Sequence, residues 1–502
     1  MQDEPIQVKF HDTLRGEKVS FIPREKNKVN MYVCGLTPSN EPHIGHARTA
    51  VIFDIIQRIF IHFGYEVVYC SNFTDIDDKI IARSKEEKCS PGELAEKYIN
   101  AYLEAMGKLN IKLPSCFARV TQHVPEIIEI VSTLIKKGFA YESEGDVYFR
   151  VRSFKSYGKL SKRSIKELLV GARIEPDEKK QDPLDFALWK SAKPGEPFWE
   201  SPWGKGRPGW HIECSAMALK YLNASFDIHG GAQDLIFPHH ENEIAQAEAY
   251  TGIEPFSRYW IHAGWVTLNK EKMSKSIGNV FRMKEAFSLF HPNILRFFFI
   301  STLYSSPLDY DLKGLHQAGK AFERVVQTLQ RLKTFVDSAV DSTSSADAQT
   351  YLNELNSEFD LALADNFNTP LAISYIMMAV KEANRRTDEG KIKPGDANLF
   401  YQQILRFLKI LGFEQPEKTL FAQIDPAKLQ DHLAKLMEKH QLPSQTDLSI
   451  DDQVQSLIEL RKKSREERKY DLADQIREDL ADINIYLEDS KEGTRYRIFK
   501  EA

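Results

Sequence analysis

The chain has 502 residues, 42% hydrophobic, 11% aromatic and 28% charged, an ordinary composition for a globular enzyme. It contains no run of about 18 apolar residues, and its start, MQDEPIQVKF, lacks a basic and then apolar leader, so neither a membrane span nor a secretion signal is expected and the cytoplasm is the default reading. A net charge of −5 argues against wholesale coating of nucleic acid but leaves room for a local basic surface.

The first 75 or so residues read as a β-α-β unit. Val29, Met31 and Val33 alternate as in a strand, and Ile52, Ile55, Ile56, Ile59, Phe60 and Phe63 then share one face of a helix over 46–63. Gly64 stands where a helix-ending glycine belongs, and EVVYCSNF (66–73) follows as a second strand. Such a unit implies a parallel sheet, with ligands at the carboxyl ends of its strands.

From about 120 to 204 the chain is more charged and carries its own hairpin-like stretch, GDVYFRVRS (145–153), the mark of an insertion. A second α/β cluster follows from 205 to 300. It holds FDIHGG (226–231), a helix led by Pro238, a strand over WIHAGWVTL (260–268), and the loop containing KMSKS. Beyond about 310 helical periodicity dominates, as in AGKAFERVVQTLQRLKTFV (318–336). Linkers are expected at 337–349 and 441–449, bracketing a helical module and leaving a C-terminal piece of some 50 residues.

Two segments carry nucleotide chemistry. PHIGHAR (42–48) opens the first helix, where exposed N–H groups and the helix dipole favour an anion. Gly45 permits close approach to the backbone, and His43 and His46 can face one ligand. Such a pair in isolation is more often a helix cap. KMSKS sets Lys272 and Lys275 beside Ser274 and Ser276, groups able to neutralise a departing pyrophosphate. Alone it would read as a solvated charge run. No phosphate-binding P-loop and no dinucleotide-binding glycine motif is present. Together the two segments resemble the signatures of class I aminoacyl-tRNA synthetases. The resemblance implies that His43, His46, Lys272 and Lys275 serve amino-acid adenylation, and that ATP, with Mg²⁺, is bound by these four with Gly45, Ser274 and Ser276.

Cys34, Cys214 and the i,i+4 pair His239 and Glu243 suit a metal such as zinc, although each alone is commonplace and His240 is an alternative ligand. With Cys70, Cys89 and Cys116 there are five cysteines, too few for a disulfide framework and better read as reduced thiols. MYVCG, SNFTDIDDKI, GWHIECSAM, FDIHGG and DLIFPHHENEIAQ are similar to cysteinyl-tRNA synthetases. That likeness implies one Zn²⁺ on Cys34, Cys214, His239 and Glu243, and a substrate L-cysteine among Thr74, Trp210, His229 and Asp234. A demanded metal–thiolate bond would discriminate cysteine from serine without an editing domain. The chain departs from that family at GLTPSNE, at Gly230-Gly231-Ala232 and at LYSSPLDY.

RKKSREERKYDLADQIREDL (461–480) is basic and then amphipathic, which taken alone is an ordinary solvated helix. With YLEDSKEGTRYR it resembles the family's anticodon-binding end, implying tRNA(Cys) contacts at Arg465, Tyr470, Asp474, Arg477 and Asp489. The expected architecture is α/β: a split Rossmann-like parallel-sheet catalytic domain (1–120 and 205–300) with a connective insertion (121–204). A stem-contact region (301–340), a helical bundle (341–440) and a small anticodon-binding domain (441–502) complete it. A monomer is expected. The rivals are a cysteine ligase acting on an amino-sugar, a zinc hydrolase and a non-catalytic RNA-binding paralogue. The C-terminal end argues against the first, the adjacent ATP segments against the second, and intact His43, His46, Lys272 and Lys275 against the third.

Overall fold

The computed structural model describes residues 6–165, 167, 178–268, 271–272, 281–337, 343–414, 426–442, 449–467, 469–483, 485–490 and 493–498. The chain forms two compact units, Met1–Lys284 with Pro292–Glu414, and Glu285–His291 with Gln415–Ala502.

The larger unit opens on a hairpin, β1 (Lys9–Asp12) and β2 (Glu17–Ser20), ahead of the first strand foreseen from the sequence. That strand, β3 (Lys28–Leu36), leads to α1 (Ile44–His62), β4 (Glu66–Phe73), α2 (Asp78–Glu87), α3 (Pro91–Lys108) and β5 (Cys116–Arg119). Gly64 has φ +84°, the left-handed turn expected after α1. After α4 (Val124–Lys136), the insertion forms an antiparallel sheet of β6 (Ala140–Ser143), β7 (Asp146–Phe149), β8 (Phe186–Ser191) and β9 (Gly206–Pro208). The chain then returns through α5 (Trp210–Leu222), β10 (Phe226–Ala232), α6 (Glu241–Thr251) and β11 (Ser257–Ala263).

The two halves join in one parallel sheet of order β11-β10-β3-β4-β5. Strand order reverses between β3 and β10, and the crevice at their carboxyl ends is where such a sheet takes its ligand. The alternation seen in the sequence located β3 but not its surroundings, because every residue from Val29 to Cys34 is buried on both faces. Helix α1 is likewise buried beyond its predicted stripe, since Ala47, Arg48, Val51, Phe53, Asp54 and Gln57 are covered too. It lies between the sheet and further helices.

Two expected elements are built differently. The strand foreseen over 260–268 is broken at Gly264-Trp265: β11 ends in the main sheet, and β12 (Val266–Leu268) joins a separate sheet with β13 (Glu271–Lys272) and β14 (Leu308–Tyr310). A Cβ on Gly264 would lie 2.3 Å from the Ser306 carbonyl oxygen, so the crossing at this point needs glycine. The helix led by Pro238 begins only at Glu241; residues 236–240 form a wider turn in which Phe237 is extended.

After α7 (Pro292–Ile300), a bundle is built from α8 (Leu312–Asp337), α9 (Ala346–Ala364), α10 (Thr369–Asp388) and α11 (Pro394–Ile410). ADNFNTPLA forms the turn between α9 and α10, and Asn366 binds the backbone of β1 through Lys9 and His11. The smaller unit contains α12 (Pro426–Lys439), α13 (Ile450–Glu466), α14 (Tyr470–Asp482) and a hairpin of β15 (Ile485–Ser490) and β16 (Gly493–Ile498). Leu433, Val454, Leu457, Ile476, Leu480 and Ile485 are fully buried in its core.

Candidate active site

The carboxyl end of β3, the start of α5 and the turn into α6 bring four donors together in the sheet's crevice. The ligand atoms of Cys34, Cys214, His239 and Glu243 all lie within 4.8 Å of one another, and all four residues are buried. The Cys34 thiol donates to Glu243 Oε1 at 3.1 Å, and the same oxygen is 3.0 Å from His239 Nε2. The i,i+4 spacing therefore brings His239 and Glu243 together although regular helix begins two residues after His239. Two sulfurs, an imidazole nitrogen and a carboxylate at this spacing can surround one ion bound at about 2.0–2.3 Å, the fit expected of zinc.

The electrostatics agree with that fit. The Cys34 thiol, hydrogen bonded to Cys214, draws the Cys214 pKa down to about 6 against the opposing effect of burial. Burial pushes Cys34 well up, and the neighbouring Cys214 and Glu243 push it further. Burial opposes the charge on Glu243, but His229 and His239 hold its pKa well below the usual carboxylate range. Burial also opposes charge on His239, yet Glu243 and Cys214 raise it to about 10. Loading a cation would displace protons from Cys34 and His239.

His240 belongs to another group with Cys34 and His229, and its Nδ1 is 2.8 Å from His262 Nε2. The four-donor set thus takes His239. His211, which sequence reasoning passed over, lies behind it: the two Nδ1 atoms are 3.0 Å apart. Burial and the nearby His239 keep His211 neutral. If His239 presents Nε2 to a metal, its Nδ1–H donates to His211, an orienting bond of the kind metal-bound histidines require. The cue lay in the sequence, since His211 adjoins Trp210 in the GWHIEC motif.

Of the residues assigned to the substrate, Thr74, Trp210 and Asp234 line the same cavity of about 410 Å³ as Cys34, Cys214 and His239. The Thr74 hydroxyl donates to Glu213 at 2.9 Å, and the Trp210 ring stands 4.6 Å from that of His239. His229 stands one layer back: it is fully buried, stacks on Trp260 at 4.4 Å and meets Glu243 Oε2 at 2.9 Å. Gly35 is a further residue that the motif reading left without a role. A Cβ there would lie 1.6 Å from the Asn72 carbonyl oxygen, and its N–H bonds the Asn72 side chain, which approaches Cys214 to 3.6 Å.

His43, Gly45 and His46 also line this cavity, with Thr49 beside them on α1. The histidines do cap the helix, each Nδ1 accepting the other's backbone N–H at 3.4 Å, with the rings stacked at 3.6 Å. Accepting through Nδ1 places the proton on Nε2, so capping and donation to an anion are compatible. Lys272 closes β13 in backbone terms, whereas Ser274, Lys275 and Ser276 lie outside the described residues. Ser39, in the departing GLTPSNE stretch, is buried and lines the cavity.

In the smaller unit, Tyr470, Asp474 and Arg477 are exposed at i, i+4 and i+7 of α14, and Arg465 is exposed near the end of α13. Asp489 lies in β15.

The chain matches the model of the tRNA synthetases class I (C) catalytic domain over residues 20–320 and that of the DALR domain over 358–415. It is 48% identical to the cysteine--tRNA ligase of Carboxydothermus hydrogenoformans, over 98% of this chain and all of that one. It is 42% identical to that of Aquifex aeolicus, over 98% and 99%. Among solved structures, it superposes on a Mycobacterium tuberculosis methionyl-tRNA synthetase in complex with methionyl-adenylate with a TM-score of 0.56 at 16% identity, over 76% of this chain and 89% of that one. An Agrobacterium radiobacter LeuRS–tRNA complex gives 0.60 at 11% identity, over 78% and 85%, a likeness of fold. The crevice at the β3/β10 reversal, its buried thiol–imidazole–carboxylate cluster and these full-length matches agree: the chain belongs to the cysteine--tRNA ligases of the class I tRNA synthetase family.

Proposed function

We propose that the chain activates L-cysteine with ATP and transfers it to the 3′ end of tRNA(Cys). The observation that carries this reading is one cavity lined at once by the Cys34–Cys214–His239 cluster and by the His43–Gly45–His46 cap. A carboxylate oxygen of cysteine forms a bond to the ATP α-phosphorus, the bond from that phosphorus to the bridging oxygen breaks, and pyrophosphate leaves. The Nε2–H groups of His43 and His46 and the start of α1 donate to phosphate oxygens as charge builds. Lys272 and Lys275, with Ser274 and Ser276, are assigned to the departing pyrophosphate, and Gly45 to close approach of the nucleotide. Asp234 offers a carboxylate to the substrate ammonium, while Thr74 and Trp210 border the side chain and His229 fixes Glu243. The terminal ribose 2′-hydroxyl of tRNA then attacks the adenylate carbonyl, and AMP leaves.

We assign Zn²⁺ to Cys34, Cys214, His239 and Glu243; when bound it supplies a soft Lewis acid that favours thiolate over hydroxyl. Mg²⁺ accompanies ATP. The catalytic work is assigned to 1–120 and 205–300, the connective insertion to 121–204, stem contact to 301–340, the bundle to 341–440 and anticodon reading to 441–502. We infer a cytoplasmic monomer, the cluster being one of reduced thiols. The amino-sugar ligase is not favoured, because the relatives named as cysteine--tRNA ligases match over nearly the whole chain.

Replacing Cys214 by Ser removes one of two sulfur donors. Zinc content is expected to fall and cysteine-dependent ATP–pyrophosphate exchange to lose its preference over serine. Retention of both would overturn the assignment, and aminoacylation of tRNA with cysteine, using serine as control, tests the activity itself.

A further inference from the structure

We propose that Arg48 is a positioning residue for the ATP half of the cavity, holding the wall formed by Gly264, Trp265 and Val266 in place against α1. Arg48 lies about one turn beyond the His43–His46 cap and is 1% exposed. Its Nη1 donates to the carbonyls of Gly264 at 3.0 Å and Trp265 at 2.5 Å, and its Nη2 to those of Ser306 at 2.5 Å and Leu303 at 3.4 Å. A buried cation is costly to keep without an anion, and here four carbonyl oxygens take an anion's place. A planar fork of donors suits that task, since it fixes two separate backbone segments to one helix in a set geometry.

The first of those segments lines the cavity on the side assigned to the nucleotide. Gly264, Trp265 and Val266 line it together with His43, Gly45 and His46. The two segments are bound to each other as well, by Gly264 N–H to the Tyr304 carbonyl and Leu308 N–H to the Trp265 carbonyl, each at 2.8 Å. On the other side of the cap, Ile44 N–H donates to the Phe281 carbonyl at 3.1 Å, and Met283 N–H to the Pro42 carbonyl at 2.8 Å. The start of α1 is therefore tied to the chain on both sides of residues 269–280. None of the four metal-cluster residues is among the partners of Arg48, so its loss should be felt by ATP and not by cysteine. This inference rests on the assignment of His43 and His46 to ATP.

The test is ATP–pyrophosphate exchange with Arg48→Met and Arg48→Lys in the full-length chain. Arg48→Met is expected to raise KM for ATP and lower kcat, with roughly a 10- to 100-fold loss in kcat/KM for ATP, the scale of a misplacement near 1 Å. KM for cysteine and zinc content should stay within about twofold. Arg48→Lys, which keeps the cation and loses the fork, should recover part of the loss and serves if Arg48→Met fails to fold. An equal rise in KM for ATP and cysteine, or a lower Tm with both KM values unchanged, overturns the proposal. Absence of cysteine-dependent exchange in the unaltered chain would instead overturn the functional reading.

Discussion

His262 shows how a single side chain can take its chemistry from burial. It sits at the end of β11, with Nδ1 2.7 Å from the Thr13 hydroxyl and Nε2 2.8 Å from His240. Burial, with lesser contributions from His229 and His11, lowers its pKa to about 3. The unfolded chain takes up a proton here below about 6.5 and the folded chain does not, so stability is complete above about 6.5 and falls as pH drops from there towards about 3. His262→Gln is expected to remove up to about 1.4 kcal/mol per pH unit from that slope, read from urea unfolding at several pH values. An unchanged slope would mean that the imidazole is not held neutral. Nothing in the motif IHAG distinguishes this histidine from a ligand; its partners come from residues 13 and 240.

At the scale of elements, α1 decides how sheet and bundle fit together. Its apolar spacing predicted one buried face, yet the helix is enclosed, and enclosure forces partners on its polar residues. Asp54 accepts from Arg58 Nε at 2.9–3.0 Å, from the Lys112 N–H at 2.7 Å and from fully buried Arg296 of α7. Arg296 also donates to the Leu411 and Leu109 carbonyls, at 2.8 and 2.9 Å. The middle of α1, the loop after α3, α7 and the end of α11 thus meet at one ion cluster. Asp54→Ala leaves Arg296 buried without its anion and should cost about 3–5 kcal/mol in urea unfolding. A loss under about 1 kcal/mol would show that the carbonyls alone suffice. The strand foreseen over 260–268 fails at this same scale. Residues 260–268 carry strand-forming side chains on either side of Ala263-Gly264, and the break at Gly264 is imposed by Ser306, some forty residues further on.

At the scale of the molecule, chemistry and tRNA reading are assigned to different parts of the chain, and variants should separate them. Tyr470 and Arg477 share an exposed face of α14 in the smaller unit. Tyr470→Ala removes a ring able to stack on an unpaired base, worth about 1–3 kcal/mol, so KM for tRNA should rise roughly 5- to 100-fold. Arg477→Ala should weaken tRNA binding in the same direction. Both variants should leave ATP–pyrophosphate exchange unchanged; reduced exchange would place these residues in the chemistry instead.

The sequence by itself determined the parts whose signal is local. The β-α-β start, the glycine after α1 and the four metal-ligand candidates are all legible there, because strand propensity, helical spacing and i,i+4 geometry act within a few residues. The family motifs added which residues belong to one site. Only the tertiary structure decided that Cys34 and Cys214 meet through the pairing of β3 with β10, that His239 and not His240 joins the cluster, and that His229 stands behind Glu243. It also decided the contacts of Gly35, Arg48 and His211, whose partners lie far away in the chain or across a helix packing. Such contacts arise when burial makes each polar group find a partner wherever the fold has brought one, and that choice is not written in the neighbouring residues.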